Sequence, residues 1–168
     1  QVIVSSGGKQ VIFNALMATI NNNDEVLFAS PYWVSYPEIV RFCGGQPIIM
    51  KTTMDNNYKI TPSQLENSIT KETKWLILNS PSNPTGAVYS ENELHSLSQI
   101  LLKFPKIMIL SDDIYEKIIY DGKRCLNIAQ IEPRLKNRVL IVNGVSKSHA
   151  MTGWRIGYGA GPQELIES

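Results

Sequence analysis

Lys147 stands at a position suited to a reactive amine. It follows the apolar run Val139–Val142 by five residues, within Asn143–Tyr158, a stretch rich in glycine and polar side chains. Open α/β sheets bind their ligands beyond the carboxyl ends of their strands, which is where this lysine is expected to lie. A lysine amine placed there can form a covalent bond with a carbonyl compound or act as a base. The stretch around Lys147 is therefore the first candidate for a catalytic site.

Two other segments carry polar groups just past apolar runs. In the first, two prolines and a glycine restrict the loop Asn79–Gly86, so that Asn83 can aim its amide at an oxygen acceptor. The second, Ser111–Tyr115, follows the run Ile107–Leu110 and contains two adjacent carboxylates. Such a pair could bind a metal ion, but no histidine lies nearby in the sequence to complete a set of ligands, so we expect no metal site.

Two further features, Gly7-Gly8 and Trp33, can each be interpreted either structurally or functionally. The glycines come between a short apolar run and a helical pattern; they form either a plain tight turn or a helix N-terminus whose amides bind an anion. Trp33 follows the run Val26–Ala29 and either packs in the core or stacks on a flat ligand.

The elements needed to position these residues can be predicted from the alternation of apolar runs and helical patterns. Apolar runs of three to five residues recur along the chain, with amphipathic helical patterns between most of them, which predicts a three-layer α/β fold with a mostly parallel sheet. The carboxyl ends of parallel strands share one edge. We therefore expect one crevice to be formed by residues from five strand-to-helix connections: Gly8, Trp33, Asn83, Asp112, Tyr115 and Lys147.

The motifs resemble those of the fold-type I aminotransferases (class I), which use pyridoxal phosphate (PLP). The matching segments are Ser146-Lys147 with Arg155 eight residues later, Asn83-Pro-Thr-Gly86 and Ser111-Asp-Asp-Ile-Tyr115. The resemblance implies that Lys147 forms the Schiff base, Arg155 holds the phosphate, and Asp112 pairs with the pyridine nitrogen. It also implies that Asn83 and Tyr115 bind the phenolic oxygen. Asp113 departs from the family's usual glutamate, and the sequence does not explain why.

The sharpest matches, Gly7-Gly-Lys-Gln10 and Ser30–Pro37, resemble those of bacterial aspartate aminotransferases. In that subgroup the lysine at position 9 is associated with the substrate's distal carboxylate; a solvent-exposed lysine at a helix end is the alternative. The resemblance implies three sets of site residues. The catalytic set is Lys147, Asp112 and Tyr115, the cofactor set is Gly8, Lys9, Trp33, Asn83, Asp112, Tyr115, Ser146, Lys147 and Arg155, and the substrate set is Lys9, Trp33 and Asn83. One cis peptide is also expected in the loop, at Asn83-Pro84.

The expected reaction is transamination between an amino acid, aspartate or glutamate, and a 2-oxo acid. One alternative is a different PLP-dependent reaction at Cα, such as β-elimination, since cofactor residues alone do not fix the outcome. The other is a non-catalytic α/β domain that binds a nucleotide, although the chain lacks Gly-x-Gly-x-x-Gly.

Composition favours a small-molecule ligand. The net charge is +1 with dispersed basic residues, no apolar run approaches 18 residues, and there are two cysteines without metal-ligand spacing. We therefore expect the protein to bind neither nucleic acid nor a membrane and to work in the reducing cytoplasm.

Because the chain begins without methionine, residues 1–168 are expected to be a partial large domain. The resemblance implies that an N-terminal segment, a small domain and a partner subunit complete a homodimer, and that the isolated chain is inactive.

Overall fold

The computed structural model describes residues 1–122 and 124–168. The strands are β1 (Val2–Ser5), β2 (Glu25–Ser30), β3 (Gln46–Lys51), β4 (Thr73–Asn79), β5 (Met108–Asp112), β6 (Val139–Gly144) and β7 (Gly157–Ala160). The α-helices are α1 (Gly8–Thr19), α2 (Ser35–Phe42), α3 (Pro62–Ser68), α4 (Glu91–Leu102), α5 (Ile128–Ile131) and α6 (Gln163–Glu167). Within the described ranges, no helix combines the length and the apolar character needed to cross a membrane.

The strands form a single sheet in the order β1-β7-β6-β5-β4-β2-β3. All neighbours from β3 to β6 pair in parallel. β7 is antiparallel to both β6 and β1, so β1 again runs in the direction of β6. The carboxyl ends of every strand except β7 therefore meet at one edge, and the predicted mostly parallel sheet is confirmed.

Helices cover both faces of the sheet because successive strand residues point to opposite sides. In β4, Leu76 and Leu78 pack into the cluster formed with α3, α4 and α5. Their neighbours Trp75 and Ile77 pack into the second cluster, formed with α1 and α2. These strand side chains are 5% exposed or less. The two buried layers give the three-layer architecture that the sequence predicted.

The segment before β6 is more ordered than the sequence predicted. The polar composition from Gly122 to Arg138 predicts a loop-rich excursion, but the segment contains α5 and a 3-10 helix, Pro133–Arg138. Both are too short to show a helical period in the sequence. Asn127 begins α5 with its side-chain oxygen accepting from the Gln130 N–H, which is the local signal for this turn.

The start of α1 differs from those of α3 and α4. A capping box closes the N-termini of α3 at Thr61 and of α4 at Ser90. α1 instead begins after Gly7, at φ +86°, and no side chain caps it. Its first backbone N–H groups thus keep their hydrogen-bonding capacity, and they lie at the carboxyl edge of the sheet.

Candidate active site

A cleft of about 180 Å³ opens at the carboxyl edge of the sheet. All nine residues that the sequence singled out for the site line it: Gly8, Lys9, Trp33, Asn83, Asp112, Tyr115, Ser146, Lys147 and Arg155. They come from the connections that follow five strands, as the topology requires. Their proximity is a structural finding, whereas the chemical role of each remains a prediction.

Asp112 supplies a buried carboxylate at the base of this cleft, only 5% exposed. The Tyr36 hydroxyl donates to its Oδ2 at 2.6 Å, and the Ile114 N–H donates to its Oδ1 at 3.4 Å. Burial raises the pKa of Asp112, while these two hydrogen bonds act in the opposite direction. The carboxylate is therefore fixed in place by donors on two elements.

The spacing of Tyr36, Ile39 and Val40 predicts only that Tyr36 lies on the buried face of α2. The structure adds its contact with Asp112 and places it in the wall of the cleft. A signal was available, because a buried tyrosine hydroxyl needs a hydrogen-bond partner and this one lies in the first turn of a helix at the functional edge.

The loop that carries Asn83 is attached to the sheet by Asn79, a residue that sequence reasoning treated only as part of the loop. Asn79 Oδ1 accepts from the Asn83 N–H at 2.8 Å, and Asn79 Nδ2 donates to the Asp112 main-chain oxygen at 2.9 Å. The side-chain amide of Asn83 makes no hydrogen bond to any described residue. The loop contains two cis peptides, Ser80-Pro81 besides the predicted Asn83-Pro84.

Asp113 lies outside the cleft, and two hydrogen-bond donors compensate for the burial of its carboxylate. The Ser111 hydroxyl donates to Oδ1 at 2.7 Å and Asn127 Nδ2 donates to Oδ2 at 3.1 Å. Burial raises the pKa of Asp113 to about 7. The side chain thus links the end of β5 to the start of α5, a structural role.

Arg155 lies against the turn between β1 and α1. Its Nη1 donates to the Thr152 carbonyl at 2.9 Å, and its Nη2 donates to the Ser6 carbonyl at 3.4 Å. A side chain on Gly7 would overlap the guanidinium, and one on Gly157 would overlap the backbone of the glycine turn. Both glycines are therefore required for this close approach.

Two lysines reach the cleft over aromatic rings. Lys9 Nζ lies 4.9 Å from the Trp33 ring centroid, and Lys147 Nζ lies 5.9 Å from that of Tyr115. Contacts of this kind stabilise exposed ammonium groups by about 0.5–1 kcal/mol. Neither lysine forms an ion pair within the described part of the chain.

The donor set fits PLP. The guanidinium of Arg155, the uncapped amides at the start of α1 and the half-buried Ser146 hydroxyl suit a phosphate dianion. Asp112 suits a protonated ring nitrogen, and Asn83 and Tyr115 offer donors for a ring oxygen. The same residues do not suit a metal ion, and the described residues contain no group of three or more histidine, cysteine or acidic side chains placed to bind one.

Comparison with known proteins places this architecture in one family. The family model described as aminotransferase class I and II matches residues 1–168. An aspartate/prephenate aminotransferase of Cereibacter sphaeroides is 53% identical over the whole chain, and an aspartate aminotransferase of Rhizobium meliloti is 49% identical. The chain spans 42% and 41% of the length of these two relatives.

Solved structures agree with the sequence matches. The crystal structure of the Rhizobium meliloti aspartate aminotransferase superposes with a TM-score of 0.98 at 50% identity, covering 99% of this chain and 42% of that one. An aromatic aminotransferase from Pyrococcus horikoshii superposes with a TM-score of 0.94 at 35% identity, covering 99% and 44%. The chain therefore belongs to the class I and II aminotransferases, a family whose cofactor is pyridoxal phosphate.

Proposed function

We propose that the protein containing residues 1–168 transfers an amino group between an amino acid, aspartate or glutamate, and a 2-oxo acid. The observation that carries the proposal is the single cleft that holds the Lys147 amine, the buried Asp112 carboxylate and the phosphate-binding donors around Arg155. When bound there, PLP supplies an electron sink for the pair left behind as the substrate Cα loses its proton.

Asp112 holds a proton on the ring nitrogen in this proposal. A cation beside the carboxylate favours its charged form, and the Tyr36 hydroxyl supports the same form by donating to Oδ2. Asn83 and Tyr115 donate to the phenolic oxygen and stabilise its negative charge. These groups bind both polar sides of the ring and determine its orientation.

Lys147 has two roles in this proposal, first as the residue that anchors the cofactor and then as the base that removes the proton from the substrate Cα. Arg155, the amides at the start of α1 and the Ser146 hydroxyl hold the phosphate. Binding at this unreactive group keeps the reacting atoms within reach of the Lys147 amine.

Lys9 indicates a preference for substrates with an acidic side chain. Its ammonium group lines the cleft beside the Trp33 ring, and it has no carboxylate partner in the part of the chain that the structure describes. A distal carboxylate would provide one. The names of the relatives, which include aspartate and prephenate, agree with this preference.

We also propose that residues 1–168 are a partial large cofactor-binding domain, completed by an N-terminal segment, a small domain and a partner subunit in a cytoplasmic homodimer. The share of the relatives that the chain covers, 42%, supports the additional regions. The isolated chain is accordingly expected to be inactive.

Steady-state assays of the protein containing this chain test the proposal. Aspartate with 2-oxoglutarate should give oxaloacetate and glutamate, and Lys147→Arg should lower kcat by about 10²- to 10⁴-fold. Lys106→Arg, at an exposed site far from the cleft, is the matched control. If the protein instead releases pyruvate and ammonia from serine without a 2-oxo acid and transfers no amino group, its reaction is β-elimination and not transamination.

A further inference from the structure

Asn79 connects two parts of the cleft that are separate in the fold. It is the last residue of β4 and lies in register with Asp112 of β5. Its Oδ1 accepts from the Asn83 N–H at 2.8 Å, while its Nδ2 donates to the Asp112 main-chain oxygen at 2.9 Å. One planar amide thus bonds to the loop at one end and to the neighbouring strand at the other.

Other backbone bonds of the loop hold it together without joining it to β5. The Ser82 N–H donates to the Ala87 carbonyl at 2.9 Å, and the Gly86 N–H donates to the Ser82 carbonyl at 2.8 Å. These bonds fix the shape of the loop. Ser80 adds two anchors outside the loop, accepting from the Tyr89 N–H at 3.2 Å and from Cys125 Sγ at 3.5 Å. Among the described residues, the Asn79 side chain alone bonds to both Asn83 and Asp112.

We propose that Asn79 is a positioning residue that sets where Asn83 lies relative to Asp112. This inference rests on the proposed function, in which those two side chains bind opposite sides of the cofactor ring. The Asn83 amide and the Asp112 carboxylate must then keep a fixed separation, because a displacement of about 1 Å in a catalytic site can cost about 10²-fold in rate. Asn79 itself touches neither reacting atom in this proposal.

Two substitutions separate the two hydrogen bonds. Asn79→Leu keeps a similar volume and removes both bonds. Asn79→Asp keeps an oxygen that can accept from the Asn83 N–H but removes the donor to the Asp112 carbonyl. Ser82→Ala is the matched control in the same loop, since the Ser82 hydroxyl makes no hydrogen bond to any described residue.

Backbone amide hydrogen exchange of the protein containing this chain tests the placement without any cofactor. Asn79→Leu should speed exchange of the Asn83 N–H by about tenfold, whereas Asn79→Asp and Ser82→Ala should leave it near the parent rate. Unchanged exchange in Asn79→Leu would overturn the inference. If that variant does not fold, Asn79→Ala takes its place with the same expected result.

A second measurement follows the effect of Asn79 on the titration of bound PLP. With PLP bound, the pH midpoint of the cofactor's absorbance change should rise by about half a unit or more in Asn79→Leu, because a displaced Asn83 stabilises the phenolate less. A midpoint equal to that of Ser82→Ala would contradict the inference. A parent protein that shows no cofactor absorbance would contradict the proposed function instead, while the exchange experiment would still decide the role of Asn79.

Discussion

The Tyr36 hydroxyl donates a 2.6 Å hydrogen bond to Asp112 Oδ2, joining residues 76 positions apart in the chain. Both side chains are buried, at 2% and 5% exposure. Burial and then the neighbouring carboxylate raise the pKa of Tyr36 well above its ordinary value, so the phenol keeps its proton and remains a donor. α2 thus fixes the carboxylate that we assign to the cofactor's ring nitrogen.

Removing that donor should weaken catalysis through Asp112. Tyr36→Phe keeps the ring but lets the pKa of Asp112 rise further, so kcat should fall about tenfold and the acid limb of its pH profile should move to higher pH. Tyr32→Phe is the control, since the Tyr32 hydroxyl bonds to no described residue and its ring packs edge-on against Phe28. Identical pH profiles for both variants and the parent would contradict this role.

A side chain at Gly7 should displace Arg155. Gly7→Ala should weaken PLP binding by about tenfold or more, with little effect on pyridoxal, which lacks the phosphate. Gly122→Ala is the matched control, because Gly122 has a similar positive φ, +66°, but no described atom beyond its chain neighbours lies within 4 Å of where its Cβ would be. Binding titrations with the two vitamers provide the measurement, and equal losses for both would show that Gly7 acts on general stability.

The charge of Lys9 should affect the choice of substrate. Lys9→Gln should raise KM for aspartate by about tenfold while leaving kcat/KM for phenylalanine within about twofold, since only the acidic side chain loses an ionic partner. Lys106→Gln removes an exposed lysine elsewhere and should change neither value. A parallel loss on both substrates would assign Lys9 to the cofactor or to the fold.

Asp113 should make stability depend on pH. Its pKa is raised from 3.8 to about 7, so the folded chain retains the proton between these values while the unfolded chain loses it. The free energy of unfolding should therefore fall as pH rises through this window, by at most about 4 kcal/mol.

Asp113→Asn removes this dependence while keeping an oxygen for Asn127 and offering an NH₂ group to Ser111. Urea unfolding at several pH values should show the variant gaining stability relative to the parent between pH 4 and pH 8. Asp121→Asn, at an exposed turn, should show no such gain. If the free energies of unfolding of the Asp113 variant and the parent differ by the same amount at every pH, Asp113 does not titrate in this range.

The cleft was predictable because its residues follow apolar runs. Lys147, Asn83 and Asp112 each come just after such a run, and the rule that parallel strands share a carboxyl edge brings them together. Their distance along the chain did not matter, since the sheet determines the positions of the strand ends.

Contacts that depend on side-chain direction were not predictable in the same way. Tyr36 belongs to the buried period of α2, and only the fold shows that its hydroxyl reaches a strand 76 residues away. Asn79 and Asp113 likewise make bonds whose partners are set by register and by the short helix α5. Four helical residues give too little periodicity to indicate that helix.

The most direct test of the account is to locate the residue that binds the cofactor. The protein containing this chain should be loaded with PLP, reduced with borohydride and digested, and the peptide that carries the pyridoxyl group identified by mass spectrometry. We predict that reduction abolishes an absorbance band near the edge of the visible range and that the group is found on Lys147. An unlabelled Lys147, or a group attached to another lysine, would contradict the central claim.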